Sequence, residues 1–190
     1  GCDPLPALAQ HISVPLEEYE KLPENVRAEV FDGQIFYMAG PSQDHQALSM
    51  ELSSLLLSYI KQKGGLCKVF AAPFDVKLSD DPLTIVQPDL MIICDKSKLD
   101  GHRCNGAPDF IIEIVSPANA ADDYVKKLYY YQKYGVREYW IVDPMRKSLS
   151  VNYFEGGKLS VPYNFASTIK VNIYEDLYID FSAIEQSVWS

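Results

Sequence analysis

Two carboxylates lie within strongly apolar stretches of this 190-residue chain, where an ionised side chain is costly. Asp89 directly precedes the apolar run 90–94, and Glu113 lies inside the apolar run 110–115. Runs this apolar are typical of strands that are covered on both faces. A carboxylate there is either paired with Lys or Arg, or shares a divalent cation such as Mg²⁺ with an acid on a neighbouring strand. The residues alone leave both alternatives open.

A lysine follows the second acid at a spacing that also permits two interpretations. Asp123 and Lys127 are four residues apart in a predicted helix over about 120–134, so they share one face. They could form an ordinary acid–base pair on a solvated surface, which contributes ~0.3–0.5 kcal/mol. Alternatively, the helix packs beside the strand that ends at Ser116 and directs Lys127 toward Glu113. Periodicity does not decide between these interpretations.

A histidine and a third acid are further candidates. His45 lies in the first turn of a predicted helix over 43–63, where a histidine is most often exposed or makes a structural hydrogen bond. Its alternative role is that of a ligand or a proton carrier. Glu29 lies in an apolar hairpin whose tight turn is Asp32–Gly33, and its ordinary state there is a partly exposed charge.

Several other chemistries lack their motifs. The sequence contains neither a phosphate-binding glycine loop with its lysine nor a Gly-x-Ser-x-Gly nucleophile motif. A zinc site around His102 and Cys104 lacks two further ligands at suitable spacing. Cys67 and Cys94 lie in apolar runs without a Cys-x-x-Cys pair, so we expect reduced cysteines that pack as small hydrophobes. A reducing, cytoplasmic location is the corresponding expectation.

Composition and charge exclude some classes of protein. The chain is 47% apolar and 23% charged, which is ordinary for one globular domain and excludes a disordered chain. Its net charge is −9, and residues 1–60 hold nine acids but only two bases. This balance argues against non-specific binding of nucleic acid through a basic surface. No apolar run approaches the ~20 residues of a membrane-spanning helix, so we expect no membrane contact.

The hydrophobic pattern alternates helices and strands within one mixed α/β or α+β domain over residues 1–190. The predicted elements are a helix near 13–19, a hairpin over 27–38, the helix 43–63, strands at 66–70, 74–78 and 84–94, a loop over 95–108, a strand at 109–115, the helix 120–134 and strands at 138–142, 149–154, 158–162 and 170–173. We expect a core over about 16–151 and a β-rich C-terminal extension over 152–190.

Seven motifs occur in order along most of the chain: LEEY (16–19), EVFDGQI (29–35), PSQDH (41–45), VQPDL (86–90), GAPDFIIEIVSP (106–117), DxxxK (123–127) and GVREYWIVDP (135–144). This order resembles the Uma family of bacterial restriction-endonuclease-like proteins, of the PD-(D/E)XK nuclease superfamily. The resemblance implies a central mixed β-sheet flanked by helices, with Asp89 and Glu113 side by side on adjacent strands.

The chain departs from the superfamily pattern at the lysine. The residue that shares the face of Glu113 two positions later is Val115, where the superfamily carries lysine. The family pattern suggests that Lys127, from the following helix, replaces it. Lys126 is the competitor, but it is rotated ~100° around the helix.

The resemblance implies metal-assisted hydrolysis of a phosphodiester in nucleic acid, with DNA as the expected substrate. Mg²⁺ or Mn²⁺ would be held by Asp89, Glu113 and the carbonyl of Ile114, with Lys127 as the third catalytic side chain. The surrounding or rim residues would be Glu29, His45, Ser116 and Asp123. A homodimer would suit an enzyme that cuts both strands. The alternative is an inactive nuclease fold that serves as an interaction or scaffold module.

Overall fold

The structure is a computed structural model that describes residues 13–118 and 121–190, without the side chains of residues 121 and 122. Its helices are α1 (Leu16–Glu20), α2 (Gln43–Gln62), α3 (Ala121–Tyr134) and α4 (Phe181–Trp189). Its strands are β1 (Ala28–Phe31), β2 (Gln34–Tyr37), β3 (Lys68–Ala71), β4 (Val76–Asp80), β5 (Leu83–Val86), β6 (Leu90–Ile93), β7 (Cys104–Asn105), β8 (Phe110–Ile114), β9 (Glu138–Asp143), β10 (Ser148–Tyr153), β11 (Lys158–Asn164), β12 (Thr168–Lys170) and β13 (Tyr178–Asp180).

The strands form two main mixed sheets. A six-stranded sheet has the order β11-β10-β9-β8-β6-β3, and a five-stranded sheet has the order β2-β1-β5-β4-β7. In the larger sheet β8 and β9 are parallel and the other neighbours are antiparallel. Strands β12 and β13 form a separate antiparallel pair. The predicted fold class, a mixed sheet flanked by helices, is confirmed.

The two faces of the six-stranded sheet pack against different layers. Alternate side chains of β6 and β8, such as Leu90 and Ile112, join a core with α2, α4 and the C-terminal segment. The intervening side chains, such as Met91 and Ile111, join a second core with α3 and the five-stranded sheet. Since strand side chains alternate, residues of odd number on β8 face α3.

The segment 84–94, predicted as one strand, is two strands in different sheets. Strand β5 pairs with β1 and β4, whereas β6 pairs with β3 and β8. Pro88 lies between them, and proline cannot donate a hydrogen bond to a continuing ladder. The prediction of a single strand was therefore wrong, and the break places Asp89 at the start of β6.

The C-terminal part contains the strand predicted at 149–154, which is β10, together with β13 and α4, which the sequence patterns did not predict. Strand β10 crosses residue 151, so the six-stranded sheet continues into the segment expected to be an extension. That segment ends in the helix α4, which begins after Asp180, whose carboxylate accepts the N–H groups of Ser182 and Ala183 at 3.0 and 3.4 Å. The short run Phe181–Trp189 is amphipathic over two turns only, and it was missed for that reason.

The cysteines also differ from expectation. Cys67 and Cys94 form a disulfide. They flank the paired residues Lys68 and Ile93, which places them opposite each other at the end of the β3–β6 ladder. The prediction of reduced cysteines was wrong at these two positions, because sequence spacing carries no information on cross-strand pairing. These cysteines give no support to the expected reducing compartment.

None of the helices in the described ranges is long and apolar enough to cross a bilayer.

The turn between β1 and β2 provides a test of how the N-terminal segment packs. Asp32 and Gly33 both have positive φ, as a two-residue hairpin turn requires. A Cβ atom at Gly33 would lie 2.6 Å from Cβ of Ser13, whereas a Cβ at Gly64, which also has positive φ, would meet no atom within 4 Å.

We expect Gly33→Ala to lower the free energy of unfolding by at least about 1 kcal/mol more than Gly64→Ala, since both carry left-handed strain but only the first also displaces a neighbour. Urea denaturation of both variants measures the difference. Equal losses would contradict the packing of residue 13 against the turn.

Candidate active site

The two acids found in the apolar runs lie next to each other in the six-stranded sheet. Strands β6 and β8 pair with Leu90 opposite Ile112, so Asp89 lies opposite Glu113 in the following pair. Both side chains are on the face toward α3. The N–H of Ile114 donates to Oδ2 of Asp89 at 2.7 Å, which ties the start of β6 to the end of β8.

Helix α3 supplies the basic partner of Glu113. Nζ of Lys127 lies 2.9 Å from Oε2 of Glu113, and the hydroxyl of Tyr131, one turn later, donates to Oε1 at 3.2 Å. The i,i+4 spacing puts Lys127 and Tyr131 on the same helix face. Of the two interpretations of this helix, the structure shows the buried one, with Lys127 directed at Glu113.

The hairpin supplies a third carboxylate. Oε1 of Glu29, on β1, lies 3.0 Å from Nζ of Lys127, and its Oε2 accepts the N–H of Gln87 at 2.9 Å. Glu29 is buried and does not have the partly exposed state that a hairpin charge ordinarily has. One ammonium therefore bridges the carboxylates of two separate sheets.

Helix α2 positions the histidine. The hydroxyl of Ser42 accepts the N–H of His45 at 3.1 Å and so begins the helix at the pocket. Nε2 of His45 then lies 3.1 Å from Oδ1 of Asp89, and Nδ1 lies 3.1 Å from Oε1 of Gln46. Burial lowers the pKa of His45, but Asp89, Gln46 and Glu113 together raise it by more, so the net shift is upward and favours the protonated imidazole beside Asp89.

The acids outnumber the bases in this cluster, and burial and neighbouring charges shift the pKa of Glu113 and of Lys127. Burial raises the pKa of Glu113 to about 8; Lys127 opposes this shift, while Asp89 and Glu29 add to it. Burial disfavours the ammonium of Lys127, but Glu113 and Glu29 raise its pKa well above the ordinary value. Lys127 therefore stays charged, and one positive charge is shared between two buried carboxylates.

All eight residues proposed from the sequence line one open pocket of about 170 Å³. They are Glu29, His45, Asp89, Glu113, Ile114, Ser116, Asp123 and Lys127. Ser116 is buried, and its N–H donates to the hydroxyl of Tyr124 at 3.2 Å. Asp123 is exposed at the rim. The competing lysine, Lys126, also lines the pocket but does not reach the acids.

The sequence patterns missed other residues of the pocket. Arg27 lines it from the segment before β1, and Tyr131 holds Glu113 from beneath. Burial and Glu113 raise the pKa of Tyr131 well above its ordinary value, so its hydroxyl remains a donor. A tyrosine four residues after Lys127 was the only available signal, and a run of three tyrosines obscured it.

The pocket contains oxygen atoms of the kind that a divalent cation binds. Among the described residues, no group of three His, Cys, Asp or Glu side chains is arranged as metal ligands. Mg²⁺ needs only one or two carboxylates, because it keeps several waters. The oxygens of Asp89 and Glu113 each accept one protein contact and retain a second lone pair. The carbonyl of Ile114 accepts a long 3.4 Å contact from the hydroxyl of Tyr124. These hard oxygen donors and the excess negative charge fit Mg²⁺ or Mn²⁺.

The ion-pair cluster predicts a large effect of one lysine on stability and a small effect of its neighbour. We expect Lys127→Met to lower the free energy of unfolding by about 3–5 kcal/mol, because it leaves two buried carboxylates without their cation. The matched variant Lys126→Met changes a half-buried lysine that has no ion pair with a described side chain, so we expect a loss below about 1 kcal/mol. Chemical denaturation compares them, and similar losses would contradict the buried network.

The raised pKa of Glu113 predicts the pH dependence of stability in the metal-free protein. Between its ordinary pKa of 4.5 and about 8, the folded state binds a proton on Glu113 that the unfolded state releases. Stability therefore falls as the pH rises through this window. His45 changes the stability in the same direction, because a raised histidine pKa contributes stability that is lost as the pH rises. Denaturation in EDTA at pH 5.5 and pH 8 measures the slope. Glu113→Gln should flatten it, and an unchanged slope would contradict the assignment.

Comparisons with known proteins agree with this architecture. Residues 16–180 match the model of the Uma2 family, described as "Putative restriction endonuclease". A cyanobacterial relative, "Uncharacterized protein slr1290" of Synechocystis sp., is 29% identical over 109 residues, which are 56% of this chain and 56% of the relative. The alignment thus spans little more than half the length of that relative.

A solved structure from Anabaena variabilis has a similar fold. Described as "a putative nuclease belonging to DUF820", it matches 92% of this chain and 99% of its own chain, with a TM-score of 0.77 and 20% sequence identity. At 20% sequence identity, this similarity shows a shared fold and nothing further. Because the family match covers most of the sequence, including every residue of the pocket described above, the chain belongs to the Uma2 family.

Proposed function

We propose that this chain is a divalent-metal-dependent nuclease that hydrolyses phosphodiester bonds of nucleic acid in the pocket between β6, β8 and α3. The observation that carries the proposal is the pairing of Asp89 and Glu113 on adjacent strands, with Lys127 in contact with Glu113. The descriptions of the family and of the solved Anabaena structure support the same chemistry. DNA is the expected substrate, and a homodimer would supply two sites for cutting two strands.

The acids would bind the cation. Asp89, Glu113 and the carbonyl of Ile114 would hold Mg²⁺ or Mn²⁺, which supplies Lewis-acid polarisation of a phosphate oxygen and a lower pKa for water. The N–H of Ile114 fixes the direction of the Asp89 carboxylate, and His45 holds its other oxygen. Preorientation of this kind keeps ligands in place before the cation arrives.

Lys127 takes the role of the lysine that Val115 replaces. Its ammonium remains charged in the pocket and is held in position by both Glu113 and Glu29. A fixed positive charge beside the reacting phosphate stabilises the negative charge that develops on its oxygens. Glu29 is therefore a positioning residue, and Ser116 and Asp123 line the pocket beside it.

Calorimetric titration with Mn²⁺ tests the site without any assumption about the substrate. We expect saturable binding by the wild type and binding at least about 10-fold weaker by Asp89→Asn and Glu113→Gln, since each removes a ligand. Glu138→Gln is the matched control, because Glu138 is a buried acid of the same sheet outside the pocket. Binding should also raise the melting temperature of the wild type.

A cleavage assay then addresses the reaction itself. Plasmid DNA, linear DNA and RNA are incubated with Mn²⁺ and each variant, and we expect cleavage by the wild type and Glu138→Gln but not by Asp89→Asn. Equal metal binding by all four proteins would overturn the proposal. The cluster would then be a structural ion-pair network, and the inactive scaffold would be the better interpretation.

A further inference from the structure

The guanidinium of Arg27 lacks a partner on one side. Its Nε donates to Oε1 of Gln87 at 2.9 Å, whereas its buried Nη2 has no hydrogen-bond acceptor among the described residues. A buried N–H of a charged group without an acceptor is costly, and native structures rarely keep one without a function. Arg27 also has no ion pair with a side chain that the structure describes.

A second cation of the pocket wall is similarly unpaired. Nζ of Lys126 lies over the rings of Phe31 and Phe36, 4.0 and 3.4 Å from their centroids. No carboxylate of a described residue is within ion-pair distance of it. Burial lowers the pKa of Lys126, although Asp123 and Glu29 oppose the shift. The aromatic rings hold the ammonium at the mouth by cation–π contact and leave its donors available.

The acidic and the basic side chains of the pocket therefore differ in whether the described residues supply their partners. The three acids of the floor, Glu29, Asp89 and Glu113, have protein partners on both carboxylate oxygens. The two cations of the wall, Arg27 and Lys126, have no acidic partner in the described ranges. The wall of the pocket therefore presents positive donors that lack acidic partners among the described residues and suit an anionic group.

The surroundings of Arg27 indicate an extended ligand. Arg27 lines both the pocket and an adjoining cavity of about 220 Å³ along the first turns of α2, where Gln46, Ser49 and Ser53 present polar side chains. At the other side, Phe36 and Tyr37 are 45% and 69% exposed. Exposed aromatic rings beside cations are suited to bases and phosphates of a nucleic-acid strand.

We propose that Arg27 and Lys126 bind backbone phosphates that flank the scissile phosphate and so hold the strand across the acids. This proposal rests on the proposed function, because it places the same substrate in the same pocket. Arg27 offers a planar guanidinium that suits phosphate oxygens, and Lys126 offers a compact point charge. Neither residue takes part in bond cleavage; both position the substrate.

The test measures binding without cleavage. Short fluorescein-labelled oligonucleotides, single-stranded and duplex, are titrated in EDTA with the wild type, Arg27→Gln and Lys126→Gln over a series of salt concentrations. Lys133→Gln is the matched control, because Lys133 is an exposed lysine of the same helix that does not line the pocket. Lys126→Arg retains the charge, and thermal melting confirms that each variant is folded.

We expect Arg27→Gln and Lys126→Gln each to weaken binding roughly 10-fold. Each should also reduce the slope of log affinity against log salt by about 0.7 for single strands or about 0.9 for duplex. Lys133→Gln and Lys126→Arg should keep the wild-type slope. A larger effect on one oligonucleotide identifies the form of nucleic acid that the pocket binds.

Two results would overturn the proposal. One is that both folded variants keep the wild-type affinity and the wild-type salt dependence of binding. If the wild type still cleaves nucleic acid with Mn²⁺, only the assignment of these two residues fails. The other is the absence of binding by the wild type to either oligonucleotide. A smaller salt dependence of binding in the two variants supports the proposal even where no cleavage is detected. The binding test and the cleavage test can therefore fail independently.

Discussion

The buried ammonium of Lys127, held between Glu29 and Glu113, is the interaction on which the arrangement of the pocket depends. Lys127 comes from α3, Glu29 from the five-stranded sheet and Glu113 from the six-stranded sheet. A buried charge is stable only when it is paired with good geometry, and this holds for the lysine and for both acids. Each of the three elements therefore requires the other two, and the hairpin, the central sheet and the helix meet at this point.

The cluster is stable but not electrically balanced. Lys127 compensates for one of its two carboxylates, and Asp89 adds a third acid, which is paired with His45. An active site is where a protein retains an arrangement that costs stability, because the same unbalanced charge provides affinity for a ligand of opposite sign. The excess of acids is the observation on which the proposed binding of a cation rests.

The proposed substrate must meet two opposite requirements in one small pocket. A phosphate approaches acids that repel it, so positive groups of the protein must hold the strand, and a cation between the acids and the phosphate would add to their effect. Arg27 and Lys126 are placed for the second task, since they line the pocket and lack acidic partners among the described side chains. The net charge of −9 conceals this local distribution. The net charge of the protein governs its long-range attraction of ligands, whereas the charged side chains that lack partners in a pocket govern which ligand binds there.

The sequence by itself determined which side chains are costly to bury, roughly where α1, α2 and α3 lie, and where the hairpin turns. Asp89 and Glu113 stand out because apolar neighbours surround them, and Asp32–Gly33 specifies its turn through positive φ at both residues. These properties are local, since they depend on residues within a few positions of each other. The motif order was enough to predict the mixed fold.

Only the tertiary structure decided which of these elements meet. Periodicity places Lys127 on a helix face but does not state what that face contacts, and nothing local to Arg27 connects it to the acids. The disulfide between Cys67 and Cys94 likewise depends on strands that pair across 27 residues of sequence. The physical reason is that contacts distant in sequence depend on strand pairing and helix docking, which the whole chain determines together.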